Sequence, residues 1–417
     1  MEKDRRVVIT GVGAVTPLGN TAPELWEGVR NGRCGIDRIT IFPQEDLPVK
    51  IAAQVKGFDP IAAGLKPIDV RHYDYFSQYA VAASLEAMRC SGLVSGENID
   101  PLRLGVYIGS CIGGLKTFID QTLVWKEEGA SKVSPLFVPM LISNLGAGNT
   151  AIKVGANGPC LTPVSACATS TNSVGEAYLA IKHGQADAMI AGGSEAAVHP
   201  LTLGGFCNCK ALSTAEDPLE ASLPFDSRRR GFVMGEGAGI LVLEEYEHAK
   251  ARGAQIIAEV CGYGNTCDAY HYTAPHPDGT ITAKAISDAL SQAGFKAGEN
   301  LYINAHGTGT QLNDKAETKA IKIALGTEEA HKAHISSSKS MTGHLLGAAG
   351  GVELIVAAMA LKEGIVPPTI GLTSPDPECD LDYTPLKAVK ADLDIAISDS
   401  LGFGGHNACV ALRRYNG

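Results

Sequence analysis

Residues 161–193, LTPVSACATSTNSVGEAYLAIKHGQADAMIAGG, place one cysteine between an apolar run and a helix-like segment, with a second apolar run behind them. This order predicts a strand, a turn at Cys167, a helix of about 16 residues and a second strand. The residues beside the cysteine are nearly all small, so substrate or backbone can approach it closely. Two interpretations are open here: a structural cysteine packed at a helix start, or a reactive thiol whose thiolate the helix N-terminus stabilises.

The same alternation of apolar runs and helix-like segments extends over the whole chain. Examples are RRVVITGVGAV, RLGVYIGSC, GAGILVLEEY, LYINAH and DIAISDS. The alternation predicts an α/β architecture with largely buried sheets. A second unit echoes the first, because HISSSK leads through SMTGH to a helix starting near Leu345, and DIAISDS then ends at a glycine turn. Two similar halves in one integrated unit are expected.

Composition and charge exclude several classes of function. The 417 residues include 35 Lys and Arg against 45 Asp and Glu, a formal net charge of −10, which argues against nucleic acid as the main partner. No signal peptide is recognised and the apolar runs are too short to span a membrane. The eleven cysteines lack metal-ligand spacing, so we expect reduced thiols, no metal site and a cytoplasmic location.

Three further stretches offer partners for the cysteine. YINAHGTGTQLNDKAE brings His306 to a strand end, SSSKSMTGHLLGAAGG carries Lys339 and His344, and SDSLGFGGHNACV places Phe403 in a glycine loop. Taken singly, each has an ordinary explanation: a surface-loop histidine, a solvating lysine with a helix-capping histidine, and a hairpin turn. The small-faced helix after His344 could also pack closely against the Cys167 helix. Together, these groups at strand–turn junctions indicate a thiol-based active site.

The chain resembles a known family over almost its whole length. VVITGVGAVTPLG, SACATS, PFDSRRRGFVMGEGAG, CDAYHYTAP, NAHGTGT, KSMTGHLLGAAGG and GFGGHN are together similar to the elongating β-ketoacyl-acyl carrier protein synthases, types I and II, of fatty acid synthesis. The resemblance implies a thiolase-type fold, in which two similar βαβαβαββ halves form a layered α-β-α-β-α sandwich. Residues 1–255 would then carry the nucleophile and residues 256–417 the histidine pair and the lysine, usually in a homodimer.

The resemblance also implies roles for individual residues. The implied catalytic set is Cys167 as nucleophile, His306, His344 and Lys339, with Phe403 as a gate. The implied substrate contacts are Ile112, Phe137 and Phe206 for the acyl chain and Thr308 and Thr310 for the pantetheine arm. The implied docking residues for the carrier protein are Lys210 and, on weaker grounds, Lys66 and Arg71.

The implied reaction is a decarboxylative Claisen condensation between an acyl group on Cys167 and malonyl-acyl carrier protein. No cofactor is expected, because the substrates arrive on the phosphopantetheine arm of the carrier. Alternatives are a biosynthetic thiolase, which needs a second reactive cysteine such as Cys409, a cysteine hydrolase, or a non-catalytic partner subunit that sets chain length. SACATS and GFGGHN resemble type I and plastid enzymes whereas KSMTGHLLGAAG resembles bacterial type II, so the acyl-length preference stays open.

Overall fold

The computed structural model describes residues 5–417, and its first half ends near Ala251. The strands of this half are β1 Val7–Val15, β2 Asp37–Arg38, β3 Ile51–Ala52, β4 Leu104–Gly109, β5 Cys160–Leu161, β6 Ala188–Glu195 and β7 Gly237–Glu245. Its helices are α1 Ala22–Arg30, α2 Pro67–His72, α3 Tyr75–Ser91, α4 Leu115–Glu128, α5 Phe137–Leu141, α6 Leu145–Val154, α7 Thr169–Lys182, α8 Pro200–Asn208 and α9 Tyr246–Ala251.

The second half begins with a long strand after the loop that follows α9. Its strands are β8 Ala258–Cys267, β9 Leu301–Asn304, β10 His334–Ser336, β11 Ile365–Val366, β12 Val389–Lys390, β13 Ile395–Gly402 and β14 His406–Arg413. Its helices are α10 Thr280–Gln292, α11 Gln311–Leu325, α12 Thr327–Lys332, α13 Lys339–Thr342 and α14 Ala349–Glu363.

The long strands of the two halves follow one topology. The large sheet runs β10-β9-β13-β14-β8-β1-β7-β6-β4-β5, so each half places its third, second, fourth, fifth and first strand side by side. Parallel pairing of β4 with β5 and β6 is repeated by β9 with β10 and β13. The predicted α/β class and similar halves are confirmed. The halves also join into one continuous sheet, because β1 pairs with β8.

Two central helices lie between the halves and touch the strands of both. Helix α7 packs on β6 and β14, while α14 packs on β7 and β13. Helices α3 and α10 cover the outer faces, which gives the predicted α-β-α-β-α layering. The central helices approach closely, since a methyl group built on Gly350 would lie 1.9 Å from Thr171 Oγ1. The small-faced helices therefore pack back to back as expected.

One predicted strand is much shorter than expected. Of the run from residue 161 to Cys167, only Leu161 lies in a strand, the two-residue β5 Cys160–Leu161, which pairs with Val106 and Tyr107. Pro159 and Pro163 flank this pair, and proline has no N–H to donate to a ladder. The segment before the cysteine is consequently free to bend toward the centre of the molecule.

None of the helices within residues 5–417 combines the length and the apolar character needed to cross a membrane. The eleven cysteines are all free thiols.

Candidate active site

One cavity of about 280 Å³ brings together most of the residues that the sequence singled out. It lies where the Cys167 turn, two loops of the second half and helix α8 meet. The predicted residues that line it are Cys167, Phe206, Lys210, His306, Thr308, Thr310, His344 and Phe403. Other lining residues, which the sequence did not single out, include Arg230, Phe232, Asp268, Thr273 and Asn407.

Cys167 sits in a strained turn at the start of a central helix. Ala166 has φ +50°, a left-handed conformation that costs a non-glycine residue roughly 1–2 kcal/mol. Residues Ala166–Ala168 form a single 3-10 turn that leads directly into α7. The second half repeats this turn at Leu346–Ala348, where Leu346 has φ +49°. Cys167 and Gly347 thus occupy equivalent positions in the two halves.

The hairpin between β13 and β14 lies against the Cys167 turn. A methyl group on Gly402 would come within 2.6 Å of the Ser165 carbonyl oxygen and 3.3 Å of the Cys167 nitrogen. The next residue in the loop, Phe403, donates its backbone N–H to the Cys167 sulfur. The loop therefore connects the two paired strands of an ordinary hairpin and also lines the cavity. The two interpretations of this stretch, a hairpin turn and a part of the active site, are compatible.

Burial disfavours the thiolate form of Cys167. Burial raises its pKa to about 12, and the Lys339 charge and the Phe403 N–H oppose that rise. The sequence predicted a helix start that favours a thiolate. The stabilising groups are present, but desolvation outweighs them, so the pKa of the thiol is raised rather than lowered. The proton must leave as the sulfur attacks.

His306 is delivered by a tightly held loop after β9. The Gly307 N–H donates to Glu317 Oε2 at 2.8 Å, and the Ser337 hydroxyl donates to the Gly307 carbonyl at 2.6 Å. The pKa of Glu317 is raised by burial and by the neighbouring Asp399 carboxylate. Burial also raises the pKa of Asp399 to about 6. These carboxyls form an acidic pair beneath the histidine loop.

His344 faces His306 across the cavity. The two ring centroids are 5.3 Å apart with the planes at 88°. The His344 backbone is fixed by bonds to Val233 and Gly235, and its ring packs edge-on against Phe232 at 5.2 Å. His306 Nδ1 and both ring nitrogens of His344 are buried without a hydrogen-bond partner in residues 5–417. Buried polar atoms normally have partners, so these nitrogens point to a polar ligand.

Lys339 acts on this site through its charge. Its side chain is 1% exposed and forms an ion pair with Glu353 on α14, which is 2% exposed. Burial lowers the pKa values of His306 and His344 well below 6.5, and the Lys339 charge lowers both further. The prediction that Lys339 keeps His344 neutral agrees with this direction. That Lys339 also holds the ring in place stays a prediction: its ammonium binds Glu353, and neither ring nitrogen of His344 has a hydrogen-bond partner within residues 5–417.

The buried neutral histidines make stability depend on pH. Because both pKa values are lower in the folded chain, the unfolded chain takes up more protons below about pH 6.5, and the free energy of unfolding falls by up to about 2 kcal/mol per histidine at pH 5. Urea unfolding at pH 7 and pH 5 measures this. The His306→Gln/His344→Gln double variant should lose less stability than the parent over that interval. Equal losses would contradict the prediction.

A buried arginine supports the loop that carries Thr308 and Thr310. Arg229 donates to the carbonyls of Thr310 and Gln311 at 3.1 and 3.2 Å and pairs with Asp376 at 2.8 Å. Arg229 is almost completely buried, and these hydrogen bonds fix both its own side chain and the loop. The sequence quoted Arg229 within PFDSRRRGFVMGEGAG without giving it a role. Because three arginines are consecutive, the sequence pattern does not show which of them is buried.

Two loops are tied together at the cavity mouth. Asn407 donates to Asp268 Oδ1 at 2.7 Å, and the Asp268 N–H donates to the Gly405 carbonyl at 2.8 Å. The Gly404 N–H donates to the Tyr272 carbonyl at 2.9 Å. The glycine loop that carries Phe403 is therefore hydrogen-bonded directly to the 268–275 loop.

Several predicted residues lie outside the cavity. Ile112 packs against the same apolar cluster as Phe206, and Phe137 stacks on Phe118 with the ring centroids 6.5 Å apart on the α4–α5 surface. Further residues lie apart from the lining: Lys66, the N-cap of α2, and Arg71 on α2 are exposed, whereas Cys409 is fully buried in β14. Burial raises the pKa of Cys409 as well. Cys409 does not line the cavity; the cysteine that lines it together with Cys167 is Cys209, at the C-terminal end of α8.

Comparison with known sequences agrees with this geometry. Residues 4–249 match the family described as beta-ketoacyl synthase, N-terminal domain, and residues 257–373 match beta-ketoacyl synthase, C-terminal domain. The chain belongs to the beta-ketoacyl synthase family. The synthase is 49% identical over 99% of its length to a 3-oxoacyl-acyl-carrier-protein synthase 2 of Synechocystis, of which it covers 98%. It is 47% identical to the protein of the same name from Staphylococcus aureus, over the full length of both chains.

Solved structures place the synthase in the same fold. A beta-ketoacyl synthase from Burkholderia phymatum superposes with a TM-score of 0.91 at 36% identity, covering 99% of this chain and 100% of the other. A ketosynthase of a type II PKS, solved in complex with its acyl-carrier protein and bound to a hexaketide, superposes with a TM-score of 0.91 at 34% identity, with the same coverage. The predicted thiolase-type fold is confirmed.

Proposed function

We propose that this synthase elongates acyl chains by decarboxylative Claisen condensation with malonyl-acyl carrier protein, as in fatty acid biosynthesis. The observation that carries the proposal is the cavity in which the Cys167 sulfur accepts a backbone N–H while two buried neutral histidines face each other beside it. Residues 1–255 supply the nucleophile, and residues 256–417 supply the histidines and Lys339.

The first step transfers the acyl group. The Cys167 sulfur attacks the carbonyl carbon of an acyl thioester, a new C–S bond forms, and the C–S bond to the carrier breaks. The thiol proton ends on the departing carrier thiol. Negative charge develops on the carbonyl oxygen, where the backbone N–H groups of Cys167 and Phe403 can both donate. A backbone donor is already oriented, so it loses little entropy in the transition state.

The second step forms the carbon nucleophile. The malonyl group loses CO2, and the electron pair of the broken C–C bond passes into an enolate on the malonyl thioester. The enolate oxygen accepts N–H bonds from His306 and His344, which are available because both rings stay neutral and carry one N–H each. The enolate carbon attacks the Cys167 thioester, and the sulfur leaves and is reprotonated.

The substrates approach from the mouth of the cavity, where Thr308 and Thr310 line the wall with their hydroxyls 3.0 Å apart. We assign these hydroxyls to the pantetheine arm of the carrier. Lys210 and Arg230 are exposed at the same mouth and suit an acidic carrier surface despite the net negative charge of the chain. Lys66 and Arg71 remain weaker docking candidates at α2. No organic cofactor is required by this chemistry.

The acyl chain is proposed to lie beyond the sulfur, on the side of Phe206 and Ile112. Phe206 contacts Phe403 at 6.2 Å and Phe232 at 5.4 Å between ring centroids. Ile112 follows in the same apolar cluster. Phe137, on the α4–α5 surface, would border the far end of the chain where a second subunit meets the first. The free thiols of all eleven cysteines support a reducing, cytoplasmic location.

The first experiment mixes the synthase with a panel of acyl-carrier thioesters, follows the intact-protein mass, and then adds malonyl-carrier. A covalent acyl adduct followed by a β-ketoacyl product is expected. Loading from coenzyme A thioesters but not from the carrier would favour a thiolase. No loading from either would favour a non-catalytic role.

We also propose a homodimer that covers the β5 edge of the sheet. Strand β5 pairs on one side only, and Leu161 and Val164 beside it are exposed. Ile152 on the neighbouring helix α6 is 77% exposed. An uncovered apolar edge strand invites uncontrolled pairing, so proteins normally shield it.

Replacing Leu161 with lysine should shift the synthase from dimer to monomer, because the lysine places a charge at the proposed interface. Sedimentation velocity measures the change. Ile323→Lys, at an equally exposed apolar position on α11, should leave the dimer intact. A Leu161→Lys protein that sediments like its parent would contradict the proposed interface.

A further inference from the structure

Glu195 is a fully buried carboxyl at the end of β6 whose hydrogen-bond donors are all neutral. Its Oε2 accepts from the Cys111 N–H at 2.9 Å, the Cys111 sulfur at 2.7 Å and the Gly347 N–H at 3.1 Å. Its Oε1 accepts from the Ser110 hydroxyl at 2.9 Å and the Ile112 N–H at 3.2 Å. Burying a carboxyl without a cation is costly, and a constellation of five donors offsets that cost.

These donors link two segments that flank the proposed acyl site. Residues 110–112 follow β4, and Gly347 occupies the position in the second half that Cys167 occupies in the first. The Gly347 N–H, equivalent to an oxyanion donor of the first half, is thus satisfied by a side chain of the protein itself. Glu195 fastens the 110–112 segment to the start of the central helix α14.

Ile112 belongs to an apolar cluster that adjoins the Cys167 cavity. It packs in one cluster with Phe206, Phe232 and Leu346, and of these Phe206 and Phe232 also line the cavity whereas Ile112 does not. On the proposed function, an acyl chain that extends past Phe206 runs toward this cluster, where Ile112 is the member whose N–H is bound by Glu195. A two-carbon acyl group ends before it.

We propose that Glu195 is a positioning residue that holds Ile112 closed and thereby sets how readily long acyl chains enter relative to short ones. This inference rests on the proposed function. The bond to the Ile112 N–H fixes the backbone of the residue that must move, and the two Cys111 bonds fix the residue before it.

The Glu195→Gln variant tests this proposal, because it replaces one carboxylate oxygen of Glu195 by an amide nitrogen. The glutamine amide nitrogen cannot accept, and at the Oε2 position it would meet three donors. At the Oε1 position it meets the Ser110 hydroxyl, which can turn to accept, and the Ile112 N–H, which cannot. The second orientation is favoured, so the variant specifically deprives Ile112 of its acceptor.

The experiment compares loading of Cys167 from dodecanoyl-carrier and from acetyl-carrier, in the parent and in Glu195→Gln. The ratio of the dodecanoyl to the acetyl loading rate should rise about tenfold, the effect of losing a hydrogen bond to a charged group. The Glu195 carboxylate also raises the pKa of the Cys167 thiol, so its replacement changes the acetyl and dodecanoyl rates together, and only their ratio reports on Ile112. Amide hydrogen exchange in a peptide spanning residues 110–113 should also become about tenfold faster. A folded variant with an unchanged ratio overturns the proposal.

Glu244→Gln is the matched control, because Glu244 is an equally buried carboxyl on the neighbouring strand β7, at the opposite end of β6. It should lower stability without changing the chain-length ratio, and a shifted ratio there would overturn the assignment to Glu195. If Glu195→Gln does not fold, Ser110→Ala takes its place and should raise the ratio in the same direction but by less. An unchanged ratio in Ser110→Ala would then overturn the proposal. A parent protein that loads no carrier thioester refutes the proposed function, while hydrogen exchange still reports whether Glu195 holds Ile112.

Discussion

The Cys167→Ala variant should form no acyl adduct and should condense acyl and malonyl groups about 10⁴-fold more slowly than the parent, or not measurably. The methyl group keeps the small size that the turn requires, and Ala is tolerated beside Ala166 and Ala168. The change therefore removes the sulfur and little else, so a loss of activity reports on the nucleophile rather than on folding.

Intact-protein mass after mixing with acyl-carrier provides the measurement. Cys261→Ala is the matched control, since burial raises the pKa of Cys261 to about 12 as well, yet this residue lies on β8 outside the cavity. It should load like the parent. An adduct that persists in Cys167→Ala would show that another thiol carries the acyl group and would overturn the assignment.

The same variant separates the two chemical steps. Malonyl decarboxylation depends on the histidine N–H groups, which the substitution leaves in place, so Cys167→Ala should still release CO2 from malonyl-carrier. Loss of both steps together would indicate that the cavity has collapsed rather than that the nucleophile is missing.

Local geometry made much of the site readable in the sequence. Cys167 and His306 each follow an apolar run at a turn built from small residues, and such turns place a side chain at the edge of a sheet. The repeated order of apolar runs around Cys167 and His344 also indicated two similar halves, since a strand–turn–helix pattern depends on neighbours along the chain. These local patterns can be predicted without knowledge of tertiary contacts.

The electrostatics of the site depend on contacts between segments that are distant in the sequence, so they could not be predicted from it. Glu353 is a lone charge in the apolar helix AGGVELIVAAMAL, which indicates a buried partner but does not identify Lys339 as that partner. The raised pKa of Cys167 follows from burial among residues of both halves. The sequence also overestimated the strand before Cys167, because prolines at an edge override apolar character.

Removal of either histidine should slow the second chemical step, malonyl decarboxylation, much more than the first step, acyl transfer to Cys167. We expect His306→Ala and His344→Ala each to slow malonyl decarboxylation by about 10²–10³-fold, the usual effect of deleting one donor to a developing oxyanion. Acyl loading of Cys167 should fall far less, because its oxyanion is served by backbone N–H groups. The double variant should be little slower than the worse single one, since two donors that act on one oxygen are not additive.

CO2 release and the acyl-adduct mass, measured on the same samples, separate the two steps. His331→Ala, on the surface helix α12, should match the parent in both. The parent rate should show no histidine titration between about pH 6 and 8, because burial and the Lys339 charge keep both histidine pKa values below that interval. Lys339→Met removes the charge that lowers those pKa values, so an acidic limb should then move toward neutral pH. A variant of either histidine that decarboxylates normally but cannot be acylated would assign that ring to the first step, as the base for the Cys167 thiol, and the two-donor account of the enolate would be wrong.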